Sequence, residues 1–167
     1  KRREPVHTEA LKRAMEEETR LLGDYAARLA ALQGSVGGRN WEEVEKGIAA
    51  LRSLAGEIEG VEAARVQAYR SLKASLRLSG EEPFDLVASR LGPPAKGELL
   101  DLHRKLKIAI IRVKGASGLL GYYVRSIADA RRQALEELFP HRKGRLYSRS
   151  GRAKATADES LVLDRKY

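Results

Sequence analysis

From Leu99 to Leu138 the chain repeats apolar side chains at intervals of three and four residues, at Leu99, Leu102, Leu106, Ile110, Val113, Ser117, Leu120, Val124, Ile127, Arg131, Ala134 and Leu138. That spacing keeps one stripe along one side of an α-helix and excludes a strand, whose faces alternate every second residue. At a rise of about 1.5 Å per residue such a helix is roughly 60 Å long. A rod of that length with a narrow apolar seam buries it against other helices. The same spacing occurs twice more upstream. Leu11, Met15, Glu18, Leu22, Tyr25, Leu29, Leu32 and Val36 predict a helix over 8–33, with Glu18 as its one charged member. Gly34, Gly37 and Gly38 are expected to end it, because glycine reaches the dihedrals that leave a helix at little cost.

Asn40 opens a second helix over 40–78, with Glu43 placed as its capping-box partner. Its seam reads Trp41, Val44, Ile48, Leu51, Ala55, Ile58, Val61 or Glu62, Arg65, Tyr69, Leu72 and Leu76. Gly47, Gly56 and Gly60 each weaken the helix by up to about 1 kcal/mol relative to alanine, and a bend is expected near Gly60. Ser79–Gly97 then gathers three of the five prolines. Pro83 suits a first helical position and predicts a short helix over 83–91 that Pro93-Pro94 terminates, so the last helix covers 95–139. The fold class is therefore all-α: an elongated antiparallel helical hairpin or three-helix bundle with coiled-coil-like seams over 1–139. Pro140 and Gly144 mark the exit into a basic tail over 140–167 that is expected to be largely unstructured.

Charge and residue usage narrow the function classes. The net charge is +9, and from Pro140 to Tyr167 eight Lys/Arg face three Asp/Glu. Such a tail is drawn to any acidic surface, whether nucleic acid, lipid or protein. Cysteine is absent, which removes disulfide and thiolate chemistry and fits a reducing, cytoplasmic setting. No apolar run approaches the roughly 20 residues of a membrane span. No leader pattern opens the chain, and Lys1 in place of Met leads us to expect sequence upstream.

No catalytic, cofactor-binding or metal-ligating set emerges. Gly115, Gly118 and Gly121 follow an apolar run but give GxxGxxG, with no GK[ST] after them, so a phosphate loop is not supported. Small residues at this spacing instead predict a smooth stripe where another helix approaches closely. His7, His103 and His141 are far apart and in no ligating arrangement. Runs such as Glu16-Glu17-Glu18 read as a solvated face making pairs one turn apart. We therefore expect a binding protein rather than an enzyme.

From the last helix to the end, the chain resembles the FlgN family of flagellar type III export chaperones. The matching residues are Gly115-Ala-Ser-Gly118-Leu119-Leu120, the helix close Gln133-Ala134-Leu135-Glu136 followed by Pro140-His141, and Leu146-Tyr147 with Gly151 beyond. A polar run ending in Leu161-Val162-Leu163 also fits. Lys114 and Ser117 depart from a family pattern in which many members carry asparagines. The resemblance implies a cytoplasmic chaperone for bacterial flagellum biogenesis. It would bind C-terminal helices of hook-associated (hook–filament junction) proteins, prevent their premature assembly and deliver them to the cytoplasmic domain of the export gate. Expected client-binding residues are Leu120, Val124, Ile127, Ala134, Leu135 and Leu138, which line the last turns of the seam. Tyr147, with Leu146, is expected to contact the gate. The alternative reading is a basic coiled-coil nucleic-acid-binding protein. No cofactor and no membrane insertion are expected, and the seams set no oligomeric state.

Overall fold

The computed structural model describes residues 3–78 and 82–138. It holds four helices, α1 (Arg3–Gly37), α2 (Trp41–Ser75), α3 (Phe84–Ser89) and α4 (Pro93–Leu138), and no strand among the described residues. The protein is all-α. The basic tail, including Leu146, Tyr147 and Leu161-Val162-Leu163, lies outside the described residues.

The helix ends differ from the expectation in instructive ways. α1 starts before Thr8 because Pro5 falls in its first turn, where the missing N–H forfeits no hydrogen bond. It runs through Gly34 and ends, as expected, at Gly37, with Gly38 and Arg39 forming the turn. The residue with left-handed backbone is Arg39, at φ 56°. Asn40 caps α2 through its side chain, which accepts from the Glu43 N–H at 3.3 Å. Only half of the expected capping box forms, because the Asn40 N–H donates to the Ser35 carbonyl at 3.0 Å instead. A second left-handed residue, Arg77 at φ 57°, follows the end of α2. Pro83 is the extended N-cap of α3 (φ −62°, ψ 148°), not its first helical residue. Pro93 and Pro94, expected to stop the short helix, are the first residues of α4.

Two pairs of contacts fix the order of α1 and α2. Arg65 Nε lies 2.5 Å from the Glu18 carboxylate, and a Cβ on Gly47 would sit 3.1 Å from Leu32 Cδ1. A later residue of α1 thus meets an earlier residue of α2, so these helices run antiparallel. α1 and α4 instead run parallel in one register. Lys12 pairs with Glu98, 86 positions on, and a Cβ on Gly37 would lie 2.7 Å from the hydroxyl of Tyr123, the same offset again.

Two apolar clusters fill the interior. One unites Leu11, Met15 and Leu22 of α1 with Leu72 of α2, Val87 of α3 and Leu99, Leu106 and Ala109 of α4. The other joins Leu29, Leu32 and Leu51, with Val113, Ala116 and Leu120 packed against them. α3 is short, yet Val87 and Ala88 are each only 1% exposed, so it closes the core rather than lying on it. Phe84 stacks between Tyr69 (centroids 5.8 Å apart) and His103 (4.2 Å), tying the connection to α2 and α4.

The seam of α2 needs one correction. Trp41 and Ile48 are exposed, whereas Leu54 is buried. The buried phase runs Val44, Gly47, Leu51, Leu54, Ile58 and on, with the Leu32 side chain of α1 packed over position 47. The chain divides into two compact units, Lys1–Arg125 and Ser126–Tyr167, with the division inside α4.

Candidate protein-binding surface

α4 carries two apolar stripes with different fates. The first is the seam. Leu99 and Leu106 are buried, and Leu102, Val113 and Leu120 are half-buried against α1 and α2. In sequence the same spacing continues through Val124, Ile127, Ala134 and Leu138, but the environment changes. Val124 is 45% exposed, Ile127 is half-buried, and every residue from Ala128 to Leu138 is exposed. Leu135 and Leu138 reach 58% and 71%. Of the six residues expected to bind a client, Leu120 is half-buried against the second cluster, Ile127 is half-buried, and Val124, Ala134, Leu135 and Leu138 face solvent.

The second stripe lies outside the seam. Ile108, Ile111, Leu119 and Tyr122 are exposed by 44%, 67%, 55% and 71%. At 3.6 residues per turn they share a side of the helix opposite the seam. Gly115 and Gly118 lie among them, and a Cβ built on either would meet nothing within 4 Å. Gly121 meets only the guanidinium of Arg125 on its own helix, at 3.7 Å. The helix that the glycine spacing predicts is therefore not supplied by the described part of this chain. The signal that could have found this stripe is the same three-four count begun at Ile108 instead of Leu106.

Charge is distributed unevenly around that stripe. From Leu102 to Ala128 the helix carries Arg104, Lys105, Lys107, Arg112, Lys114 and Arg125 and no acidic residue. Arg104 and Lys105 pair backwards with Asp101, at 2.5 and 2.7 Å. Lys107, Arg112, Lys114 and Arg125 make no ion pair among the described residues, although Arg125 Nε donates to the Gly121 carbonyl at 3.1 Å.

Other chemistry has little to build on. No group of three or more metal-ligating side chains converges among the described residues. No described helix is long and apolar enough to cross a membrane. His103 lies in the aromatic stack, where burial, then Lys107 and Arg65, hold its pKa below the ordinary 6.5 against the opposing pull of Asp85. Glu18, only 4% exposed, is matched by Arg65 in the α1–α2 seam. No family model, curated protein or solved structure matches the chain.

Proposed function

We propose that the protein is a cytoplasmic export chaperone of the FlgN type, which captures C-terminal helices of hook-associated proteins and presents them to the flagellar type III export gate. The observation that carries the reading is the exposure of Leu135 and Leu138 at seam positions of α4. Apolar side chains in a seam pattern favour burial at about 25 cal/mol per Å², and a helix in search of an apolar face is the matching partner. Val124, Ala134, Leu135 and Leu138 form the client surface in this reading, with Ile127 at its edge and Leu120 joining it to the interior. Leu146 and Tyr147 contact the gate. The resemblance of Gln133–Glu136, Pro140-His141 and Leu146-Tyr147 to the family pattern supports the same assignment.

The test is a pull-down of the full chain with the C-terminal helical segment of a hook-associated protein. A complex at micromolar concentrations is expected. Two soluble chains that fail to associate would overturn the reading. The competing nucleic-acid reading predicts oligonucleotide affinity that falls steeply with salt.

A further inference from the structure

We infer that the outward face of α4, from Ile108 to Tyr122, is a second docking surface, whose partner is an acidic amphipathic helix of another protein. This does not depend on the client surface proposed above, since the two share no residue.

Three observations converge on that occupant. Ile108, Ile111, Leu119 and Tyr122 are large and exposed, in two pairs three residues apart with Gly115 midway, and they share the side a helix presents to another helix laid along it. Open space over Gly115 and Gly118 leaves a notch midway, where a partner's side chain can enter. Bases that make no ion pair among the described residues flank the stripe on both sides: Lys107, Lys114 and Arg125 along one edge, Arg112 along the other. Long basic side chains at the edges of an apolar seam select acidic residues at the facing positions of the partner.

The same charges argue against the other occupants. A second copy using this face would set bases against bases, because no acid lies between Leu102 and Ala128. A membrane surface would welcome the bases, yet glycine occupies the middle of the stripe where insertion needs apolar bulk. Nucleic acid would use the bases but leave Ile111 and its neighbours unburied.

The experiment uses the full chain and a labelled synthetic helix of about four heptads, with leucine at the seam positions and glutamate at the flanking ones. A twin with lysine at the flanking positions serves as the comparison, and binding is read by fluorescence anisotropy. The glutamate peptide should bind and the lysine peptide should not. Lys107→Glu with Lys114→Glu should weaken binding about tenfold or more at low salt. Ile111→Ser with Tyr122→Ser should weaken it comparably, with helicity by circular dichroism unchanged because both side chains are exposed. Leu135→Asp should leave peptide binding intact, which separates this surface from the client surface. Equal binding of the two peptides, or indifference to both double variants, overturns the inference. So do three other results: oligonucleotide binding that survives Ile111→Ser with Tyr122→Ser, anionic phosphatidylserine vesicles binding in preference to the glutamate peptide, or a concentration-dependent dimer abolished by Ile111→Ser.

Discussion

Glu18 and Arg65 show how a single charge can specify a seam. Both stand at seam positions in the sequence, and antiparallel packing of α1 on α2 brings the carboxylate to 2.5 Å from Arg65 Nε. Spacing alone places each residue on its helix face but leaves the register between helices open, so the pair itself was not legible. Removing only the arginine strands a buried carboxylate. Arg65→Ala should therefore lower stability by about 2–3 kcal/mol, while Glu18→Leu with Arg65→Leu should stay within about 1 kcal/mol of the parent. Urea unfolding of the three proteins tests this, and a cost below about 0.5 kcal/mol for Arg65→Ala would refute it. His103 offers a second test at this scale. Its pKa is lowered in the folded chain by burial first, then by Lys107 and Arg65, with Asp85 opposing. The unfolded chain then binds more protons just below pH 6.5, so stability falls as pH drops through that value and the loss is complete below the folded pKa. Between about pH 7.5 and about pH 5.5 the melting temperature should drop less in His103→Gln than in the parent. Parallel slopes would show that this imidazole carries no linkage.

Among the elements, the long helices are legible in the sequence and only some of their ends are: the Asn40 cap and the stop at Gly37 are, the roles of Pro83 and Pro93 are not. Periodicity fixes which residues face inward over many turns, whereas an end is set by one or two dihedrals and hydrogen bonds. Gly34, Gly37 and Gly38 predict a stop, and α1 does end at Gly37, but glycine also serves where neighbouring side chains come close. Gly37 faces the Tyr123 hydroxyl, and Gly47 faces Leu32. The left-handed position in the turn falls to Arg39, with φ 56°. An L-residue there is disfavoured by about 1–2 kcal/mol, and glycine would relieve that at some cost in unfolded-chain entropy. Arg39→Gly should accordingly raise unfolding stability by about 0.5–1 kcal/mol, and Arg77→Gly should do the same. A loss of stability on either change would mean that the arginine side chain holds the turn. Position 47 departs from the pattern for a related reason: spacing puts Ile48 in the seam, but Leu32 packs closely over Gly47 and Ile48 is exposed.

At the scale of the whole molecule, α1 and α4 keep one parallel register through Lys1–Arg125. Lys12 lies opposite Glu98, and Gly37, the last residue of α1, lies opposite Tyr123. The seam pattern of α4 runs on in sequence after Tyr123, but a pattern cannot report whether a partner is present, so the sequence could mark Leu135 and Leu138 as seam residues and not as exposed ones. The opposite stripe was hidden for the converse reason, since one face had already been assigned to the core. Exposure makes a sharp distinction between equivalent leucines. Leu106 is 4% exposed, so Leu106→Asp buries a charge among apolar side chains and should destabilise by more than about 3 kcal/mol. Leu135→Asp with Leu138→Ser changes side chains that solvent already reaches, and should alter stability by no more than about 0.5 kcal/mol. Urea unfolding and capture of a hook-associated helix, measured on the same preparations, separate packing from recognition. The double variant should retain its unfolding midpoint and lose capture. If it unfolds as readily as Leu106→Asp, these leucines belong to a packed interior and the proposed chaperone has no client surface there.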